Sequence, residues 1–462
     1  MDQRICSDHV SEPKLNAIIE ASATIDRPCD YCDRTAPTIS AWELAEHFDT
    51  MFERFFVSTT GYDDEGWGSQ WDEDPEGESV LDVLARVAGL TGEVAENVVE
   101  LLGDMWFDRD TMAHQYGADP HFVENEKFDE PLSQAWQDME QSLKYEVRYN
   151  NPKVLTLLEQ VFGPILDDRI EGREGVIVEI APGRALGTLC RARVFPSLEA
   201  MEKALKYPER ELGPPPPGVG RAGRMNAKGV PVFYGAVDPE IAIAEVRPPV
   251  GSYVVVGVFE VVRPLRLLDI EKLILIDGDG SLFDPATYNR RNRRDFLKEL
   301  VRKLIRPVIP EREDESYLIT QAVADFLATH GELDLDGILF PSAQVDAKTR
   351  VRTDARNVVL FSRSSDVASP YGEGSPFLDQ ETHFQMWDYD EDRLIFDPEL
   401  TTRAVNPKVR LPPAIGWGNE TLGPALRLDR DQIKIHQVLG VRYAYDTTPV
   451  KHVRVEPKNE TK

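Results

Sequence analysis

The spacing of apolar residues changes near Gly163 from a helical repeat to a strand-like one, and this change constrains the fold more than any single motif. Before it, Leu44, Phe48, Met51, Phe52 and Phe55 recur at helical spacing behind a capping box, Ser40 with Glu43, and a hydrophobic staple, Ile39 with Leu44. Ser79 caps a second helix carrying Leu81, Leu84 and Val87, and Thr91 opens a third with Val94, Val98 and Leu101. Leu132, Trp136, Met139, Leu143 and Val147 form another stripe, and residues 154–162 a last one that ends at Gly163. Residues 37–165 therefore read as a helical bundle, interrupted at 62–78 by an acidic, Gly-rich loop holding Trp67 and Trp71.

After Gly163 the pattern shortens. Residues 176–181, 186–195, 231–236, 253–262, 265–269, 337–340 and 357–361 are rich in β-branched and apolar residues and read as strands, with a helix at 317–330 stopped by Gly331. The four consecutive prolines within 213–220 exclude helix and central strand and predict a rigid surface crossing. The fold class is thus α+β. At 462 residues the chain exceeds one ordinary core, so the expected units are 1–36, 37–165, 175–365, and an extension at 366–462 adding strands to the domain edge. The PKNETK end reads as a disordered tail.

A net charge of −29 argues against a general nucleic-acid or membrane-surface binder, because phosphate repels such a field unless a local basic cluster overrides it. No run of 18 or more apolar residues occurs and the first residues lack an apolar signal core, which points to the cytoplasm.

Three of four cysteines fall in the first 32 residues. Cys6 and His9, then Cys29 and Cys32, are pairs with two-residue gaps, and Cys₃His is a tetrahedral zinc set. A structural Zn²⁺ would stabilise a segment too short to hold its own core. Cys190, alone in an apolar strand, reads as a buried small residue.

The richest stretch is RAGRMNAKGVPVFYGAVDPEIAIAEVR, residues 221–247. Asp238 is a good N-cap, Pro239 suits the first helical position and Glu240 favours the dipole, so a short helix follows the strand and carries Glu245 on its second turn. Tyr234 lies on the preceding strand. Arginines beside a carboxylate fit an anionic substrate. Asp269 reads as structural, and Arg247 and Arg263 as solvent-facing ends of elements.

CRARVF with Arg191, GRMNAKGVPVFYGA with Arg224 and Tyr234, AIAEVR with Glu245, LRLLDI, YLITQAVADFL, DGILFPS with Ser342 and NVVLF with Asn357 resemble, in order, the signatures of the RES domain family over roughly 175–365. Its Arg, Glu, Ser triad matches Arg191, Glu245 and Ser342. The resemblance implies a fold akin to ADP-ribosyltransferases and a toxin-type enzyme acting on NAD⁺, restrained by an antitoxin or other regulatory protein, with homo-oligomers open. Arg224, Tyr234, Asn226 and Asn357 become candidate substrate-binding residues, although Asn226 and Asn357 could equally shape loops. Residues 37–165 are similar to the HEPN-like helical regions that precede longer RES proteins. There Arg109 and His114 form an RDxxxH pattern, one helical turn apart, giving an alternative ribonuclease reading. ADP-ribosyl transfer in the same cleft is a further alternative. The polar insert at 343–356, longer than the family's usual turn, reads as a lid or a loop.

Overall fold

The computed structural model describes residues 3–21, 27–32, 34–59, 76–117, 119–126, 130–147, 151–170, 174–305, 313–344, 355–368, 380–390, 393–404, 423–441 and 447–450. The acidic loop with Trp67 and Trp71, most of the 343–356 insert and the PKNETK end lie outside these residues. The fold is α+β. The chain divides into two compact units, Met1–Val176 with Glu271–Leu304, and Ile177–Ile270 with Ile305–Lys462.

In the first unit the capping box forms as the sequence implies: Glu43 N donates to Ser40 Oγ and Ser40 N to Glu43 Oε2, each at 3.1 Å. It starts the helix Ala41–Phe55, whose Leu44, Phe48, Met51, Phe52 and Phe55 are all buried in one core. Such a cap is worth about 1 kcal/mol. The helix Val80–Ala88 begins directly after Ser79 and ends on Gly89 in the left-handed region, φ 65°. Its buried face is Val80, Val83, Leu84 and Ala88, so the expected stripe was rotated: Leu81 faces outward. Val147 is likewise exposed, because the helix Glu130–Tyr145 stops before it.

Two elements of this unit were not expected. Phe56–Ser58 and Glu78–Ser79 flank His121–Glu124 in a small antiparallel sheet. The helix Pro285–Ile305 lies inside the span 175–365 in sequence, yet residues 271–304 cluster with the first unit. Arg293 shows why: its guanidinium makes a bidentate pair with Asp168 at 2.7 Å for both bonds, and its Nε donates to the Val161 carbonyl at 2.6 Å. Both side chains are nearly buried, where an arginine persists only when its donors are matched.

The second unit is built on eight strands in the order Ile177–Ile180, Leu265–Asp269, Gly337–Pro341, Arg356–Leu360, Phe233–Ala236, Thr188–Phe195, Tyr253–Val261, Leu426–Gln437. Only Leu265–Asp269 and Gly337–Pro341 run parallel. The C-terminal strand pairs along Tyr253–Val261 with a bulge between Val256 and Val258, forming the sheet edge. Gln380–Asp390 and Arg393–Ala404 form a separate antiparallel ladder. Leu189, Phe233, Phe259, Leu267 and Leu360 fill one core. A second core joins Cys190, Ala236, Val254 and Val256 to Ile241 and Ala242 of the helix Pro239–Glu245. Thr188–Phe195 and Phe233–Ala236 share a single ladder pair, Cys190 with Ala236.

Candidate active site

Three elements distant in sequence deliver one polar cluster. Asp238 caps the helix Pro239–Glu245 through a 2.7 Å bond from Glu240 N, with Pro239 at its first position, and buried Ile241 and Ala242 seat it on the sheet. Glu245 is its last residue. Ser342 follows the strand Gly337–Pro341; it is fully buried and fixed by a 2.8 Å bond from its N–H to the Ala355 carbonyl. Asn357, 5% exposed, pairs across the ladders with Phe340 and Ala236. Ser342 Oγ donates to Glu245 Oε1 at 2.6 Å and Asn357 Nδ2 donates to the same oxygen at 2.7 Å.

A carboxylate only accepts, so the Asn357 amide must face Glu245 with its nitrogen. Both bonds are charge-assisted and hold the carboxylate in one orientation. Oε2 receives no hydrogen bond among the described residues. The insert begins by turning back on the cluster, with Gln344 N donating to Ser342 Oγ at 3.2 Å.

Arg191, on the strand Thr188–Phe195, makes no hydrogen bond to this cluster among the described residues. It pairs with Gly257, and its guanidinium lies over the Phe233 ring at 5.2 Å. Its buried Nη1 has no hydrogen-bond partner among the described residues. Burial, with Arg193 nearby, pulls its pKa down to about 10, so the side chain stays charged at neutral pH. A buried guanidinium with an unmatched donor is a ready site for an anion.

The loop 220–230 is tied at several points. Gly223 N donates to the Asn226 carbonyl at 3.1 Å, Tyr234 Oη donates to Asn226 Oδ1 at 2.8 Å, and Met225 N donates to Tyr234 Oη at 3.0 Å. Asn226 Nδ2 donates to the carbonyls of Arg221, Ala227 and Val230 at 3.0, 3.1 and 3.2 Å. Both ends of Asn226 are thus engaged in shaping the loop. A Cβ on Gly223 would lie 2.6 Å from both Asn226 Oδ1 and Tyr234 Oη, so this close approach needs glycine. From the helix Glu313–Thr329, Gln321 Nε2 donates to the Gly223 carbonyl at 2.8 Å and Thr320 Oγ1 to that of Arg224. Thr320 and Gln321 lie in the YLITQ motif, and periodicity gave them no role. Burial pushes the Tyr234 phenol up to about 12.

Arg263 is not solvent-facing: it pairs with Asp336 at 3.4 Å and donates to Ser364 at 2.9 Å. Arg247 is exposed, and φ 45° places it in the left-handed region just past the Glu245 helix. Asp269 is buried and pairs with Arg356 at 3.4 Å.

In the first unit, the ligand atoms of Cys6, His9, Cys29 and Cys32 all lie within 4.8 Å of one another. The Sγ atoms of Cys6 and Cys32 are 3.6 Å apart, close to the roughly 3.8 Å expected for two sulfurs at tetrahedral zinc with ~2.3 Å bonds. His9 Nε2 is buried without a hydrogen-bond partner among the described residues. Burial alone would raise the Cys29 thiol, but backbone N–H groups of Tyr31, Cys6 and Cys32 outweigh it and leave its pKa below the ordinary value. The residues fit the ion.

Arg109 and His114 do not share a helix. Phe107–Asp108 and Ala113–His114 form a two-stranded ladder with Arg109 in the turn, and both side chains are exposed. His114 packs its ring 5.0 Å from Phe107. The helical juxtaposition that the ribonuclease alternative needs is therefore absent, and the pattern falls in a polar turn.

Residues 191–378 match the family described as the RES domain. This chain carries a RES domain. The RES domain contains Arg191, Arg224, Tyr234, Glu245, Ser342 and Asn357, and its match does not cover the cysteine cluster or the Arg109 hairpin. Comparison with curated proteins and with solved structures gives no match. A RES domain is consistent with an NAD-acting, toxin-type function. Among the described residues no helix is long and apolar enough to cross a membrane.

Proposed function

We propose that this chain degrades NAD⁺, breaking the nicotinamide–ribose bond by hydrolysis or phosphorolysis, and that it acts as a cytoplasmic bacterial toxin held in check by an antitoxin or regulatory partner. What supports this reading most is the carboxylate of Glu245, held through Oε1 by Ser342 and Asn357 with Oε2 left open.

When the glycosidic bond breaks, its electron pair leaves with nicotinamide and positive charge develops on the ribose. A carboxylate already oriented stabilises that charge without having to reorganise. Oε2 of Glu245 takes this role, and water or inorganic phosphate then adds at the ribose carbon. Arg191, with its unmatched Nη1, and Arg224 serve the diphosphate. Tyr234 offers its ring to nicotinamide while its hydroxyl keeps the loop closed. Cys6, His9, Cys29 and Cys32 would hold a zinc ion, which would supply structure rather than chemistry, since four protein ligands complete a structural set.

Product analysis tests the reading. With adenine-labelled NAD⁺, hydrolysis gives free ADP-ribose, phosphorolysis gives its 1-phosphate in a phosphate-dependent manner, and transfer labels a macromolecule. Intact NAD⁺ after incubation with the purified chain sinks the proposal.

A further inference from the structure

Most of the described cations of the second unit are paired with a carboxylate. Arg193 pairs with Glu211, Arg356 with Asp269, Arg427 with Glu260 and Arg430 with Glu209. Arg221 and Lys228 stand apart: both are exposed, and neither has an ion-pair partner among the described residues. In a chain of net charge −29, carboxylates are plentiful, so a pair of uncompensated cations on one loop is an unusual local field. Outside this loop the described cations of the unit without a carboxylate partner are Arg191, Arg247 and Lys434.

The loop's hydrogen bonds set the two side by side. Gly229 N donates to the Gly220 carbonyl at 2.9 Å, and Gly223 N to that of Asn226 at 3.1 Å. Between these closures Arg221 stands opposite Lys228. The loop is also rigid. Gly218 N, at the end of the proline run, donates to the Gly229 carbonyl at 2.8 Å, while Asn226, Tyr234, Thr320 and Gln321 pin the other end. A rigid backbone removes the loop's share of the ordering cost of binding an anion, leaving only that of the two side chains.

The place of the loop relative to the carboxylate is informative. Asn357, which orients Glu245, pairs with Ala236, and Tyr234, which closes the loop, is two residues earlier on the same strand, about 6.6 Å at the usual strand rise. One ribose ring separates the glycosidic carbon of a nicotinamide nucleotide from its 5′-phosphate, a comparable span, so a phosphate chain that runs along this strand from a reacting bond at Glu245 meets the loop. We infer that Arg221 and Lys228 extend the diphosphate site of Arg191 and Arg224 outward along the loop and help to select a dinucleotide over a phosphate-free nicotinamide riboside.

This inference rests on the NAD⁺-degrading reading, and the experiment separates their failures. The double variant Arg221→Gln, Lys228→Gln is compared with the unaltered chain and with the charge-conserving Arg221→Lys, Lys228→Arg. The expected result is a rise in KM for NAD⁺ of about tenfold or more, the size of one lost charge-assisted contact, with kcat within about twofold. The KM for nicotinamide riboside should not follow, the salt dependence of the NAD⁺ KM should flatten, and the charge-conserving variant should recover most of the loss. An unchanged NAD⁺ KM, or an equal rise for the riboside, overturns the inference. Should the unaltered chain consume no NAD⁺, the functional reading fails, and calorimetry with inorganic pyrophosphate decides the subsite: binding lost in the double variant supports it, and equal binding overturns it.

Discussion

The molecule holds two clusters of chemically capable side chains, and they are built in opposite ways. The Cys6, His9, Cys29 and Cys32 group comes from two short local motifs and closes on itself, every ligand atom facing the others. The Glu245, Ser342 and Asn357 group is assembled across 97 and 112 residues of sequence, and among the described residues it leaves one carboxylate oxygen without a donor. A set whose valences are all filled by protein can stabilise a fold but has nothing to offer a substrate. One oriented by two donors and open at the third position can react.

That contrast is broken or sharpened by substitution. Glu245→Gln keeps size and hydrogen-bonding capacity but removes the charge, and NAD⁺ consumption should fall by about 10³-fold in kcat; a loss under tenfold would mean the open oxygen is not the reactive one. Cys29→Ser should lower zinc content in metal analysis and drop the thermal transition of the first unit by ~10 °C or more, because a structural ion contributes folding free energy directly. An unchanged melting profile in both metal-loaded and chelated protein would reduce the cysteine cluster to coincidence. Ser342→Ala and Asn357→Ala each remove one charge-assisted bond to Oε1, and each should cost roughly 10- to 100-fold in kcat with little change in melting temperature. Gly223→Ala forces a Cβ against Asn226 and Tyr234 and should raise KM for NAD⁺ several-fold, since it moves the loop that carries Arg224. His114→Ala should change NAD⁺ turnover and stability by less than twofold; RNA cleavage lost in that variant would revive a nuclease role for the hairpin.

Local rules carried the sequence a long way. The Ser40 capping box, the Asp238 and Pro239 helix start and the strand Leu265–Asp269 follow from side-chain chemistry within a few residues, and the structure forms each of them. Two-residue gaps likewise made the metal cluster readable. The helix Pro285–Ile305 escaped because its signal is inverted: Asn292, Arg293 and Asp295, residues that read as solvated, are buried there, Arg293 against Asp168 and Asp295 against Arg294 and Lys298. The small sheet around His121–Glu124 escaped because strands of two to four residues show no period. At the active site the resemblance supplied the triad's identities, but not its wiring. That Ser342 and Asn357 meet on one oxygen of Glu245, while Arg191 packs on Phe233, depends on pairings across the sheet that no local pattern encodes. The loop bonds of Asn226 are similar: an asparagine that the sequence leaves open between substrate ligand and loop-shaping residue has every donor committed to backbone carbonyls.

The central claim is that the open oxygen of Glu245 breaks the nicotinamide–ribose bond. The most direct test follows nicotinamide release from NAD⁺ by the purified chain and by Glu245→Gln under identical conditions. Nicotinamide should appear with the unaltered protein and fall to near background with the variant, both folding with the same melting temperature; equal release from the two would contradict the account.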